Sequence, residues 1–275
     1  QGTGLYVQDQ MALDNWRLTL GGRQDWLHTE SRFYNIANKP HDERNDQAFT
    51  GNAALSYVFD SGFTPYISYA ESFQAEPGGN AKGQAFEPST GKQYELGLKY
   101  QPPGSDMLFT AAVYDLTRQN IVLTDSLGVS RPLGEAKVRG FELEAVGNVN
   151  ENLKLTAAYT YANSKMTKVG DPQDKNRPLP LTPENQASIW ADYTWHNGLL
   201  DGFGVGFGAR YIGETNNVPA GNLAYVARKS DGDTASYTVY DAAVHYDLGR
   251  LDSSLKGASV ALNANNVFDK EYMST

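Results

Sequence analysis

Cysteine is absent from the 275 residues of the chain. This absence excludes a disulfide framework and a thiolate metal site, although it leaves an oxidising compartment open. Long apolar runs are absent as well. The mean hydropathy is −0.51, and no segment approaches the roughly 18 apolar residues of a membrane-spanning helix. Membrane-spanning strands are not excluded, because their apolar residues occupy alternate positions and hydropathy averages hide them.

Basic residues are too few to balance the acidic ones, with 23 Lys and Arg against 32 Asp and Glu and a formal net charge of −9. This acidic balance argues against nucleic acid as a partner. No signal peptide opens the chain, so we expect a mature or excised segment.

Catalytic and metal-binding motifs are also missing. The sequence contains neither H-E-x-x-H nor G-x-S-x-G, and the polar stretch 171–176 lacks the glycine and the closing glutamate of a calcium loop. Four scattered histidines lack metal-ligand spacing: His28, His41, His196 and His245. We therefore expect no enzyme, no metal site and no directly bound cofactor.

The most regular stretch of the chain runs from Gly202 to Tyr211 and reads G-F-G-V-G-F-G-A-R-Y. Successive side chains of a strand point to opposite faces, so Phe203, Val205 and Phe207 share one face, and glycines and Arg210 share the other. This pattern fits a wall with lipid on one side and tightly filled space on the other. A soluble β-sandwich, whose apolar face meets a second sheet, is the alternative.

Similar alternation recurs along the chain and predicts about twelve strands. The connections between them alternate in length. Short turns are predicted at 14–15, 60–62, 102–104, 148–152 and 197–198, and long polar loops at 35–46, 74–91, 124–132, 169–180 and 215–235. Short periplasmic turns and long external loops are typical of outer-membrane barrels. The predicted fold is therefore all-β, an antiparallel transmembrane β-barrel.

The aromatic residues provide an independent indication. Trp16, Tyr57, Phe59, Tyr100, Trp195 and Tyr246 lie beside short turns, and Trp26, Tyr69, Tyr94, Tyr159, Tyr161 and Tyr211 lie toward long loops. Tyr94 and Tyr100 are about 20 Å apart along a strand at ~3.3 Å per residue, which approaches the ~25 Å apolar band of a membrane barrel. Two aromatic girdles are the interpretation, although tyrosine is also common in strands generally.

Charged residues of both signs occur on the polar faces of the predicted strands. They are interpreted as facing the lumen or an internal plug domain: Arg23, Asp25, Glu95, Lys99, Arg139, Glu142, Glu144, Asp192, Arg210 and Asp241. His245 is interpreted as a hydrogen-bonding residue of the same face. A water-filled porin lumen would also explain them, but mixed signs slightly favour contact with a protein surface.

Several segments, in order along the chain, resemble the ferrichrome type of TonB-dependent siderophore receptor. They include F-E-P-S-T-G-K-Q-Y-E-L-G-L-K-Y (86–100), R-G-F-E-L-E-A (139–145) and L-N-A-N-N-V-F-D-K-E-Y (262–272). The resemblance implies a 22-stranded barrel in the outer membrane of a Gram-negative bacterium, with a plug inside. It also implies uptake of a ferric siderophore, energised by the TonB complex through the plug, with Fe(III) present only as the chelate.

The resemblance covers the later part of the barrel. Residues 1–275 are therefore expected to form part of the barrel domain, about twelve strands, without the plug, the TonB-binding segment or the last strand. Outer-membrane lipid and lipopolysaccharide are the other expected partners. As it stands, the chain is not expected to transport.

Ligand contacts in this family come from the plug and from aromatic residues of the upper wall and loops. Residues at the external ends of the strands are therefore candidate ligand contacts, with interfacial or loop packing as the competing interpretation: Phe73, Gln74, Phe86, Tyr211 and Tyr225. Two other functions stay open. One is a passive porin or secretion pore with a closed barrel of about twelve strands, and the other is a soluble β-domain that binds carbohydrate or protein.

Overall fold

The computed structural model describes residues 2–31, 42–76, 86–124, 130–132, 134–169, 175–216 and 233–272. Its strands are β1 (Gly2–Leu13), β2 (Trp16–Ser31), β3 (Asp42–Tyr57), β4 (Phe63–Gln74), β5 (Ser89–Tyr100), β6 (Leu108–Gln119), β7 (Val122–Thr124), β8 (Ser130–Pro132), β9 (Glu135–Asn148), β10 (Leu153–Lys168), β11 (Asn185–Thr194), β12 (Phe203–Ile212), β13 (Thr215–Asn216), β14 (Asp233–Thr234), β15 (Tyr237–Asp247) and β16 (Ser259–Ala264). Strands β7–β8 and β13–β14 form two small hairpins, and the other twelve strands form one sheet.

The sheet is an antiparallel meander in which each strand pairs with its neighbours in the chain. Within the described residues, β1 pairs only with β2 and β16 only with β15, so the twelve strands form an open sheet. They do not close into a twelve-stranded barrel, as the passive-pore alternative requires. Among the described residues, no helix has the length and apolarity needed to cross a membrane.

The pairing register gives the sheet one apolar face from end to end. Ile189, for example, lies opposite Ala157 on one side and Ala209 on the other. The large side chains of this face are exposed, including Leu20, Leu55, Ile67, Leu96, Val113, Leu143, Phe207, Val244 and Leu262. Leu96 is 59% exposed and Phe207 50% exposed, so no second layer of the described chain covers them. A soluble sandwich would bury this face.

Aromatic side chains gather in two rows on the apolar face. Beside the short turns, the ring contacts are Trp16–Tyr57, Tyr57–Phe59, Phe63–Tyr100, Tyr193–Trp195 and Trp195–Phe203. Toward the long loops they are Tyr69–Tyr94, Phe141–Tyr159 and Phe141–Tyr161. Exposed aliphatic side chains lie between the rows, as in the lipid-facing band of a membrane barrel.

The connections are sorted by length as predicted, but some loop bounds change. The polar segment 35–46 was predicted to be a loop, whereas β3 already begins at Asp42 and pairs Asp46 with Leu27 and Arg44 with Thr29. That prediction was wrong because D-E-R-N-D has no apolar alternation. This part of the hairpin extends beyond the apolar band, where neither face needs apolar residues.

A small buried core lies at the long-loop end of the sheet. Ile121, Ala136 and Met166 form it, and Val169 and Leu179 pack against it. The described parts of two long connections, which follow β6 and β10, are thereby fixed to the strands. The long-loop end is therefore partly built from packed side chains, which positions the polar groups beside it.

Candidate functional site

The face opposite the apolar one is lined with charged and hydrogen-bonding side chains. The register places nearly all of the predicted lumen-facing or plug-facing residues on it: Arg23, Asp25, Glu95, Lys99, Glu142, Glu144, Asp192, Arg210 and Asp241. We call this the polar face. It carries charges of both signs, so it can contact a protein surface of mixed charge.

Arg139 is the exception. It has the parity of Phe141, whereas Glu142 has the other parity, so Arg139 lies on the apolar face. Its Nε donates to Asp115 Oδ2 at 2.6 Å. The prediction that Arg139 faces the lumen was therefore wrong.

Tyr66 organises the charges in the middle of the polar face. Its hydroxyl donates to Glu95 Oε1 at 2.6 Å, and Gln93 donates to Glu95 Oε2 at 3.0 Å. The ammonium of Lys99 lies 5.5 Å from the centre of the Tyr66 ring. The ring itself lies over Gly97, where an added Cβ would overlap it. The glycine therefore leaves the space that lets this ring lie against the wall.

The glycines of β12 likewise leave space for rings from the two strands that flank it. The Trp190 ring occupies the space above Gly206 and Gly208, and the His245 ring occupies the space above Gly204. This explains why the strand has one face without side chains: larger rings from β11 and β15 fill that side. His245 Nε2 also lies 3.1 Å from Asp192 Oδ1, so it is a hydrogen-bonding residue of the polar face, as expected.

An ion pair on the polar face connects β12 and β15, two of the last strands of the sheet. Arg210 donates to both carboxylate oxygens of Asp241, at 2.8 and 3.2 Å. The same carboxylate accepts the backbone N–H of Asn266 at 2.9 Å. Asp241 thus joins β12 to the segment after β16, and a bidentate guanidinium fixes its orientation.

Arg118 is the centre of a polar cluster at the long-loop end. Its Nη2 donates to Gln74 Oε1 at 3.3 Å, to Glu76 Oε1 at 3.1 Å and to Ser89 Oγ at 3.1 Å. The guanidinium side chain is 42% exposed, and the register places it on the polar face. Of the candidate ligand residues, Gln74 lies in this cluster.

The other candidate ligand residues are dispersed. Phe86 is buried at 6% exposure, and its ring is not available to a ligand. Phe73 has the parity of Ile67 on β4, and Tyr211 has the parity of Phe207 on β12, so both lie on the apolar face. Tyr211 also lines a polar cavity of about 390 Å³ with Glu184, Asn185, Glu214, Thr215 and Ser236. Tyr225 lies outside the described residues.

Sequence reasoning missed Tyr66, Trp190 and Arg118. The signal for the first two is a polar-face glycine opposite an aromatic residue in the next strand, as for Gly97 and Tyr66. Reading it requires the cross-strand register. Arg118 stands in L-T-R-Q-N at the end of its strand, and nothing local distinguishes it from a solvated residue. Within the described ranges, no three metal-ligating side chains lie close enough together to hold a metal ion.

Comparison with known proteins gives consistent results. Residues 1–267 match the family model described as "TonB dependent receptor-like, beta-barrel". The chain is 40% identical over 275 residues to the ferrichrome outer membrane transporter/phage receptor of Escherichia coli K12, covering 99% of this chain and 35% of that protein. It is 42% identical over 273 residues to the ferrioxamine receptor of Yersinia enterocolitica, covering 98% of this chain and 36% of that protein.

Solved structures show the same fold. The siderophore receptor PiuA of Acinetobacter baumannii has a TM-score of 0.76 at 26% identity, covering 99% of this chain and 40% of that one. The ferric-catecholate import receptor Fiu of E. coli K12 has a TM-score of 0.74 at 24% identity, covering 99% and 41%. The chain thus spans about a third of the length of the curated relatives. Those relatives are named as receptors or transporters, in agreement with the expectation that the chain is not an enzyme.

Proposed function

Because this chain belongs to the family of TonB-dependent receptor-like β-barrels, we propose that it forms part of the wall of a receptor that takes up ferric siderophores. The chain lies in the outer membrane of a Gram-negative bacterium, with its long loops outside and its short turns in the periplasm. Iron is the cargo and enters as a siderophore chelate, so the siderophore supplies its ligands.

The apolar face is the observation that carries this proposal. Its two aromatic rows enclose a band of exposed aliphatic side chains, and such a band is stable only against hydrocarbon. The opposite face is polar and paired, so it fits the inside of a barrel. The identity of about 40% to ferrichrome and ferrioxamine receptors supports the hydroxamate class of siderophore.

We propose that the polar face contacts a plug domain. Glu95 on β5 and Glu142 and Glu144 on β9 occupy successive register rows of the polar face, with β6 between the two strands. Lys99 shares the row of Glu144. A plug surface with basic groups at this height would complete their hydrogen bonds. Transfer of energy from TonB would then act through the plug, which contacts this wall.

We propose that the ligand approaches the long-loop end near Gln74 and Arg118. Arg118 is half-exposed on the polar face and is held by three oxygen acceptors. A fixed guanidinium suits the oxygen-rich surface of a ferric siderophore. Tyr211 and Phe73 have apolar-face parity, so their proposed contribution is to position the loops.

Growth on single iron sources tests this function. The full-length gene is expressed in a receptor-deficient strain under iron limitation, and ferrichrome, ferrioxamine B or a catecholate siderophore is supplied alone. We expect rescue by a hydroxamate that depends on TonB. Arg118→Gln should reduce uptake, whereas Lys256→Gln at the short-turn end should not. TonB-independent rescue, or rescue by none of the three, would contradict the proposal.

A further inference from the structure

Strands β3 and β4 separate at the long-loop end of the sheet. β3 pairs with β2 over all of residues 42–57, but it pairs with β4 only over residues 52–56. β4 itself continues to pair with β5 as far as residue 74. The pairing of β3 with β4 thus ends one residue beyond Tyr69 of the long-loop aromatic row. Beyond this level the described wall consists of two pieces, and we call the gap in pairing between them the seam.

The piece on the β3 side is an arm made of residues 22–31 of β2 and 42–51 of β3. β1 pairs with the same part of β2 as far as Leu27, so its first residues move with the arm. At the base of the arm, Gly22 and Gly51 stand directly opposite each other, and glycine in a strand often marks a bend. An added Cβ at Gly51 would meet only ordinary contacts. Close packing therefore does not explain this glycine, whereas a bend at this row does.

The side chain of Glu71 crosses the seam at the base of the arm. Its Oε2 accepts the backbone N–H of Gly51 at 3.1 Å, and its Oε1 accepts the hydroxyl of Tyr69 at 2.6 Å. In a continuous sheet, a backbone carbonyl of the neighbouring strand accepts such an N–H. Here a side chain takes the place of that carbonyl, so the arm is held to β4 after the backbone pairing has ended.

The same carboxylate has a second partner on the other side of the seam. Lys92 lies directly opposite Glu71 on β5, and its Nζ is 3.5 Å from Glu71 Oε1. A charge-assisted hydrogen bond is shorter, about 2.7–2.9 Å, so this contact is only partly formed. A rotation of the carboxylate toward Lys92 would complete it and release the N–H of Gly51.

We propose that the arm is a movable part of the wall, which bends at the Gly22–Gly51 pair, and that Glu71 is the clasp that holds it. In the clasped state the carboxylate binds the N–H of Gly51. In the released state it pairs fully with Lys92, and the seam opens. Glu71 keeps a partner in both states, which makes the element bistable.

The seam borders the place where the ligand is proposed to approach. Gln74, at the end of β4, accepts a hydrogen bond from Arg118, and both lie on the β4 side of the seam. Release of the arm widens the space in front of this cluster. This consequence rests on the proposed function, whereas the motion of the arm does not.

Distances between paired spin labels test the motion in the full-length protein in nanodiscs. The described chain has no cysteine of its own, so labels on introduced cysteines have no background from it. Gln47→Cys on the arm and Thr117→Cys on β6 report the width of the seam. Leu55→Cys and Val113→Cys are the control pair, because these residues share one register row within the apolar band.

Removal of the clasp should move the arm outward. Glu71→Ala should lengthen the distance from Gln47 to Thr117 by about one strand spacing, ~5 Å, and leave the control pair unchanged. Gly51→Ala should narrow the distribution of the same distance, because alanine restricts the backbone at the bend. Glu87→Ala is the matched control variant, since Glu87 is an exposed carboxylate at the same end of the sheet.

Hydrogen exchange of the Gly51 amide provides a second readout, measured by mass spectrometry. Glu71→Ala should accelerate it on the order of tenfold to hundredfold, because the hydrogen bond to a charged acceptor is lost. Glu71→Gln keeps an oxygen acceptor for Gly51 but cannot pair with Lys92 as an ion, so it should keep the arm clasped. An unchanged label distance in Glu71→Ala, or an equal change in Glu87→Ala, would overturn the proposed motion.

A cross-link over the seam tests the role of the motion in uptake. Thr50→Cys and Ser72→Cys would face each other if the register of Asn52 and Ala70 continued, and a short reducible cross-linker joins them. Uptake of a ferric hydroxamate should be slower with the cross-link intact than after its reduction. Equal rates would overturn the role in ligand approach. Absence of uptake by the wild type as well would instead contradict the proposed function, and the label distances would still decide the motion.

Discussion

Replacing Gly97 by alanine is expected to displace the Tyr66 ring from the polar face. The added Cβ would overlap Cζ, Cε1 and Oη of Tyr66, so the ring has to turn away. Turning breaks the 2.6 Å hydrogen bond to Glu95 and moves the ring from beneath Lys99. The three nearest atoms to the added Cβ all belong to the Tyr66 side chain, so the overlap falls on that ring.

The size of the effect follows from the two lost contacts. A hydrogen bond to a charged acceptor contributes about 1.5–3 kcal/mol, and a cation over an exposed ring about 0.5–1 kcal/mol. Water can replace part of both on a half-exposed face, so we expect Gly97→Ala to lower the free energy of unfolding by about 1–3 kcal/mol. Denaturant unfolding of the full-length protein in detergent, followed by tryptophan fluorescence, measures this.

A double-mutant cycle separates the ring from the backbone. In a Tyr66→Ala background, Gly97→Ala should cost nothing further. Gly51→Ala, in β3 and on the apolar face, is the control for a glycine-to-alanine change without overlap, because its added Cβ would meet only ordinary contacts at 3.8 and 3.9 Å. If Gly97→Ala is equally destabilising with and without the tyrosine ring, the explanation for this glycine is incorrect.

Three further predictions follow from contacts described above. Ile189→Arg on the apolar face should lower the free energy of unfolding in lipid by about 2–4 kcal/mol, whereas Gln186→Arg, on the polar face of the same strand and opposite Thr160 and Ile212, should have little effect; equal effects would contradict the face assignment. Asp241→Ala should increase amide hydrogen exchange at Asn266, measured by mass spectrometry, and unchanged exchange would show that the carboxylate does not hold this segment. The pKa of Glu135 is lowered, so its stabilisation is present above about pH 4.5 and is lost as the pH falls toward 2; Glu135→Gln should remove this part of the acid sensitivity, measured as unfolding midpoints across that range.

The sequence predicts the parts of this structure where one face of a strand must be apolar. Leu96 and Leu98 alternate with Glu95 and Lys99, and both faces are assigned correctly. Between the two aromatic rows, lipid requires apolar side chains at every second position, so the pattern is legible without coordinates. The positions of the turns and loops are predicted for a related reason, since each connection begins where an apolar stretch ends.

Beyond the apolar band the same reasoning fails. Arg139 lies on the outer face and Glu142 on the inner one, although both are charged and they stand only three residues apart. Once a strand enters water, both faces accept polar residues, and polarity no longer identifies the face. The error in placing the start of β3 at Asp42 has the same origin. Cross-strand partners such as Tyr66 and Gly97 also require a register that the turns and loops determine jointly.

The meander order of the sheet has a consequence for how such a wall is assembled. Each strand of the sheet needs only the preceding strand of the same sheet as a template, so each pairing closes a single connection of the chain. Growth can then proceed hairpin by hairpin from either end, without waiting for distant segments. A cut within one of the external connections would separate the chain between two strands that pair with each other. The two pieces would still carry the strand edges that form this pairing.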